Sequence, residues 1–260
     1  KEDWIPPFAD RVLFVLAPVV AAGSMLLAFA IVPWAEGAAI LEINVGLLFF
    51  VAMTSLGVYG VLLAGLASNS KYALLGGLRS AAQLISYEVF LGLSLMGVVV
   101  HAGSFDLGEI VRAQADGWFL LPQFAGFVVF LVAGVAEAHR LPFDLPEAEH
   151  ELAAGFHTEY SGMKFGLIML GEYLSVILTS VMVTVLFLGG WLGPAFLPGW
   201  VWFAAKSFLL VCGFILLRAA LPRPRYDQLM GLGWKVLLPV TLVNLLATGA
   251  IVLARGEGMP

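Results

Sequence analysis

GMKFGLIMLGEYLSVILTSVMVTVLFLG, residues 162–189, is the stretch that decides the architecture. A bilayer core of about 30 Å takes about 20 residues of helix to cross, and this run exceeds that. Only Lys164 and Glu172 are charged in it. Glu172 lies about 12 Å beyond Lys164 if the helix rises 1.5 Å per residue. A carboxyl group at that depth costs several kcal/mol unless it has a partner or a task.

Working outward, six further runs have the same length and character: 11–33, 44–67, 81–103, 121–139, 199–219 and 234–254. Isolated Pro18 and Gly92 inside them are tolerated in membrane helices. The chain as a whole is 61% apolar and 12% charged, with a mean hydropathy of +0.97. Soluble domains are nearer half apolar and one quarter charged. The expectation is an all-α, polytopic transmembrane bundle of seven spans, forming one domain over residues 1–260. No signal peptide is visible, and the chain opens on Lys1-Glu2-Asp3, so a further segment is expected upstream.

Seven spans place alternate loops on opposite sides. One side collects Lys1, Arg11, Lys71, Arg79, Arg140, Lys164, Arg218, Arg223, Arg225 and Lys235; the other collects Arg112 and Arg255. That asymmetry makes the first side cytoplasmic and puts the carboxyl end outside. The polar loops 68–80, 139–161 and 220–233 are then cytoplasmic. On the far side, 104–120 is expected to form a short surface helix. Trp34, Trp191 and Trp200, near span ends, are expected as interfacial anchors.

Several functions are excluded. The basic residues form no cluster that would suit nucleic acid. Cys212 alone holds no iron–sulfur cluster or zinc. His101, His139, His150 and His157 lie at span ends or in loops, so paired mid-membrane haem ligands are missing. No G-x-G-x-x-G or phosphate-loop pattern is present. No cofactor is therefore expected on this chain.

The remaining ionisable groups carry the functional argument. Glu88 is about 13 Å past Arg79, and Lys206 about 18 Å before Arg218, along their helices. Glu137 closes the run 121–139. With Glu172 they describe a ladder from the cytoplasmic face to mid-membrane; the plainer alternative is that paired or protonated acids only glue helices together. Tyr87, beside Glu88, is expected to pack. The loop AEAHRLPFDLPEAEHELAAGFHTEYSGMKF (136–165) adds Asp144, Glu147, Glu149, Glu151 and Glu159. Charge pattern alone favours a solvated acidic loop. Leu141, Phe143, Leu145, Leu152 and Phe156 argue against that, being poor surface residues. Crowded, desolvated carboxylates oppose one another's ionisation and hold protons nearer neutral pH. The Gly76-Gly77 pair suggests a turn or a close helix contact. His150 and His157 could share a helical face, but a metal site there is disfavoured.

The stretches SNSKYALLGGLRSAAQLISYE (68–88), RLPFDLPEAEHELAAGFHTEYSGMKF (140–165), GEYL (171–174) and LPRPRYDQLMGLGWKVLLP (221–239) closely resemble the heel subunit of respiratory complex I, the proton-pumping NADH:quinone oxidoreductase. The resemblance runs along nearly the whole chain. It implies an eighth helix and an amphipathic segment upstream. It implies a subunit of an enzyme, with no NADH, flavin or iron–sulfur site of its own, that helps admit quinone from lipid to a neighbouring subunit's cluster. It also implies partners: other membrane subunits, the iron–sulfur and quinone-site subunits of the hydrophilic arm, quinone and lipid. By position, Glu88, Glu137, Glu147, Glu149, Glu151, Glu159 and Glu172 would form the acidic proton funnel, with Lys206 balancing buried charge. Arg140, Phe143, Asp144 and Arg225 would lie near the quinone cavity. The chain departs from many members at Phe90, at Ala138-His139 and at His150. The competing readings are the membrane anchor of a membrane-bound hydrogenase and a stand-alone ion-coupled transporter; the absence of a visible repeat weighs against the latter. Richness in Ala, Gly and Leu favours a bacterial plasma membrane.

Overall fold

The computed structural model describes residues 3–145, 155–194 and 196–255. The chain runs α1 (Arg11–Ala28), α2 (Gly46–Ala67), α3 (Lys71–Ala102), α4 (Leu107–Arg112), α5 (Phe124–Glu137), α6 (Gly162–Phe187), α7 (Gly199–Ala220), α8 (Tyr226–Leu232) and α9 (Leu238–Arg255). Single 3-10 turns occupy Phe29–Ile31 and Gly155–His157, and a π turn over Gly233–Leu237 joins α8 to α9. Among the described residues, six helical stretches are long and apolar enough to span a membrane. The all-α polytopic bundle expected from the sequence is thus the architecture found.

Three boundaries differ from the sequence reading. Helix α3 begins at Lys71 rather than 81, because Gly76 and Gly77 are helical and lie against neighbouring backbone. At 1.5 Å per residue its 32 residues reach about 48 Å, well beyond a 30 Å core. The expected span 121–139 is helical only over Phe124–Glu137, 14 residues. Turns precede it, and at its end Ala138 leaves helical geometry while His139 takes a positive φ of 49°. The loop 220–233 is half helix, since α8 begins at Tyr226.

Helices α1, α2, α3, α5 and α6 pack in a closed ring, each against the next and α6 back on α1. Small residues make this possible. A Cβ on Gly60 would sit 2.7 Å from the Ala21 backbone nitrogen, so α1 and α2 approach to backbone contact. Asp10 caps α1, accepting from Val12 and Leu13 N–H at 3.0 and 3.2 Å. Such a cap is worth about 1 kcal/mol. Helix α7 packs on α6, and α9 on α3 and α5, outside the ring. Their outer faces are apolar and open, with Phe208 and Leu209 70% and 71% exposed, as lipid-facing or subunit-facing helices require.

The two ends of the bundle are distinct. At one end Asp3 pairs with Lys164, the Asn69 amide donates to the Phe8 carbonyl, and the Arg79 guanidinium lies over the Tyr226 ring. At the other end Leu47 N–H donates to Phe105 O and Leu120 N–H to Phe187 O. Helix α4 forms within 104–120 as expected, but Leu107, Ile110 and Val111 are buried, so it is a docked element rather than a surface one. Trp34 and Trp200 are exposed, whereas Trp191 is buried in the core and is no interfacial anchor.

Candidate functional site

The ring encloses a cavity of about 40 Å³. That is room for at least one water. All five ring helices line it: Ala21 and Met25 from α1, Thr54 and Gly57 from α2, Leu84 from α3, Glu137 from α5, and Glu172 and Ser175 from α6. His139 and Phe156 close the loop end. The apolar walls are what make the two carboxyl groups informative, since nothing but a charge partner or a hydrogen bond can satisfy them there.

Glu172 is 7% exposed and pairs with Arg140, Nη2 to Oε2, at 3.1 Å. The guanidinium also lies over the Tyr173 ring, 4.3 Å from its centroid. Arg140 therefore reaches from the loop after α5 down to an acid on α6. Breaking such a buried pair from one side typically costs about 3–5 kcal/mol.

Thr54 on α2 lines the cavity with Glu137, and the adjacent Ser55 hydrogen-bonds Glu88 Oε1. Both hydroxyls also lie within bonding distance of the Val51 carbonyl, at 3.0 and 2.9 Å. The Ser55 hydroxyl has one proton and two acceptors in reach. Ser55 can donate to a Glu88 carboxylate, or accept from a protonated Glu88 while donating to Val51. The arrangement accommodates both protonation states without moving a helix.

The loop end is held by α3. Gln83, fully buried, donates to the carbonyls of Ala136 and Phe143 at 2.8 and 3.0 Å, clamping the turn that carries Arg140. Tyr87 packs against Phe143, and its hydroxyl donates to Leu229 O at 2.9 Å, so it ties α8 to the same wall. Arg79, Gln83, Tyr87 and Phe90 recur at helical spacing and form one stripe on α3. A Cβ on Gly76 would meet the Gly155–Phe156 backbone at 2.7–2.8 Å, which seats the 3-10 turn against α3. Tyr160 stacks on Phe14 at 4.0 Å, and burial holds its phenol above the ordinary range.

A family model described as NADH dehydrogenase matches residues 1–249. The chain is 63% identical over 251 residues to the type-H subunit of NADH-quinone oxidoreductase from Methylococcus capsulatus (strain Bath), covering 96% of this chain and 79% of that relative. The chain belongs to the NADH dehydrogenase family of membrane subunits.

Within this NADH dehydrogenase family member, the structure unites some of the residues singled out from sequence and separates others. Glu137 and Glu172 share the cavity, whereas Glu88 is not among its lining residues and is bonded by Ser55, next in the chain to the lining Thr54. Arg140, assigned from sequence to the quinone side, is the charge partner of Glu172. Phe143 sits on Tyr87, while Asp144 is half-buried beside it in the chain. Arg225 is exposed at the start of α8. Glu159 is half-buried after the 3-10 turn and is not among the residues that line the cavity. Glu147, Glu149 and Glu151, like His150, lie outside the described residues. Lys206 lies away from the cavity. Its ammonium donates to the carbonyls of Leu188, Gly190 and Leu192 at 2.7, 3.2 and 2.6 Å, and sits 4.9 Å from the Trp118 ring. Leu188 is about 24 Å along α6 from Glu172. Lys206 thus bonds the C-cap carbonyl of α6 and two carbonyls of the loop that follows it, groups that need donors where the helix ends. Thr54, Ser55, Ser80 and Gln83 were missed by the sequence reading, although hydroxyl and amide groups inside apolar runs were the available signal.

Proposed function

We propose that this chain, by family a membrane subunit of NADH:quinone oxidoreductase, carries protons along a chain of carboxyl groups from the loop after α5 to mid-membrane. The observation that carries this reading is the shared cavity. Glu137 and Glu172 open on one water-sized space inside a closed ring, and Arg140 links that space to the loop. Quinone reduction adds negative charge that protons must neutralise. At 3.1 Å and an effective dielectric of 20, the Arg140–Glu172 attraction is about 5 kcal/mol. A charge change near Arg140 therefore has a strong electrical route to Glu172. From Glu172 the path runs through cavity water to Glu137, then past Thr54 and Ser55 to Glu88. Glu147, Glu149, Glu151 and Glu159 would extend it outward, and Phe143, Asp144 and Arg225 would border the quinone. The partners in this reading are the other membrane subunits, the iron–sulfur subunits of the hydrophilic arm, quinone and lipid.

The end that joins residues 3–10, 67–80, 139–145, 155–164 and 220–226 would be the cytoplasmic end of a bacterial plasma membrane. The basic-residue asymmetry supports this side.

The test is Glu172→Gln in the assembled complex, which keeps shape and removes the titratable group. Proton pumping per quinone reduced is expected to fall, while electron transfer from NADH to a water-soluble acceptor persists. Normal pumping in the assembled variant would refute the path.

A further inference from the structure

We propose that His139 is an additional proton-carrying residue of the cavity, working with Ser80; the proposal rests on the carboxyl path above. Three observations lead there. First, His139 is 4% exposed and lines the same cavity as Glu137 and Glu172. Second, its Nε2 lies 2.6 Å from the hydroxyl of Ser80, which is itself fully buried on α3. Third, the backbone places it there specifically. Helix α5 ends at Glu137, Ala138 follows, and His139 adopts φ 49°. Left-handed geometry at this position usually selects Gly or Asn, and His tolerates it better than most side chains. An Asn would meet the backbone requirement, so the imidazole is not demanded by the turn.

The groups around it define its chemistry. On α5, Glu137 is two residues earlier and shares the cavity. On α6 stands Glu172, neutralised by Arg140 from the loop. On α3 the partner is the uncharged Ser80, and from the 3-10 turn the Phe156 ring faces it, centroids 6.4 Å apart. From α2 the cavity receives Thr54 and apolar side chains, and from α1 only apolar ones. With the Glu172–Arg140 pair neutral, the titratable groups left among the described lining residues are Glu137 and His139. A proton leaving the Glu137 carboxylic acid for the imidazole yields carboxylate and imidazolium, so their summed charge is unchanged. A second proton returned to Glu137 raises it by one. Ser80 serves both forms. It donates to a neutral Nε2, and accepts from Nε2–H when the ring is charged. The cavity can then store one proton more than its carboxyl groups alone provide.

His139→Gln tests this, since the Gln amide reaches the Nε2 position and keeps a bond to Ser80 without titrating. His139→Asn is the companion, restoring the residue type best suited to the turn. In assembled complex, the pH profile of coupled proton pumping is compared with wild type and Glu172→Gln. Both amide variants are expected to move the profile's midpoint by at least about half a pH unit, roughly a threefold change in proton occupancy at fixed pH. An unchanged profile in either assembled variant overturns the His139 role while leaving the carboxyl path intact. Failure of both to assemble assigns His139 to structure and equally overturns it. Normal pumping in Glu172→Gln removes the path itself, whatever His139 does.

Discussion

Charge balance and proton carriage can be separated at the Arg140–Glu172 pair. Arg140→Gln leaves Glu172 buried without its guanidinium. The lost attraction at 3.1 Å is about 5 kcal/mol at an effective dielectric of 20, in line with the roughly 3–5 kcal/mol seen when buried pairs are broken from one side. Both side chains are well sheltered, 18% and 6% exposed, so solvent recovers little of this. The single variant is therefore expected to assemble poorly. Adding Glu172→Gln removes both charges, so neither side chain is left as an unpaired buried ion. The double variant is expected to regain part of the lost stability, giving a coupling of about 1–3 kcal/mol in a double-mutant cycle. It should not regain pumping, because the carboxyl group is gone. The assays are thermal unfolding of purified complex and proton translocation per quinone reduced. A double variant whose loss of stability equals the summed losses of Arg140→Gln and Glu172→Gln would show that the pair is not coupled. A stable double variant that pumps normally would show that Glu172 carries no proton.

Lys206→Met is expected to lower the unfolding free energy by about 2–4 kcal/mol, since three carbonyls at the end of α6 lose a charged donor; pumping by complex that does assemble should match wild type, and a specific pumping loss would return Lys206 to the acid path. Gly60→Leu should prevent α1 and α2 from closing the ring, because its Cβ would meet the Ala21 backbone at 2.7 Å; overpacking of this kind costs about 1–3 kcal/mol or more, and wild-type thermal stability would contradict the packing. Because burial raises the Tyr160 phenol above its ordinary value of 10.0, the folded state keeps that proton where the unfolded chain releases it; stability is then full below pH 10 and falls as pH rises beyond it. Tyr160→Phe should flatten that alkaline loss in a pH series of melting temperatures. Replacing Glu147, Glu149 and Glu151 together with Gln should lower quinone-linked pumping more than any one replacement, because neighbouring carboxyls compensate for a single loss; an assembled triple variant with unchanged activity would leave that segment a solvated loop.

What the sequence made legible was what hydropathy and charge can carry. Apolar runs of membrane length gave the helices, because a bilayer demands internally satisfied backbone. Isolated acids inside them marked Glu88, Glu137 and Glu172, because such groups are costly without a reason. Boundaries set by tertiary contact were illegible. Lys71–Ser80 is polar enough to pass for a loop, yet it is helical, with the 3-10 turn at Gly155–His157 packed on Gly76 and α2 on Gly77. Lys206 shows a second limit. Depth along a helix places a charge relative to the membrane, but not relative to other helices. An ammonium that looked level with the acids in fact serves the far end of α6.

Arg140 shows why the pairing itself was out of reach. Its sequence neighbours, Pro142 and Phe143, associate it with the loop. Only the turn at Ala138-His139, clamped by Gln83 on α3, directs its guanidinium to α6. The same turn puts His139 on the cavity wall. One local event, a helix ended by a left-handed residue, thus brings a cation to Glu172 and an imidazole to Glu137's cavity. The electrostatic link between loop and membrane acids depends on that turn more directly than on any single acid, since without it Arg140 would have no route to Glu172.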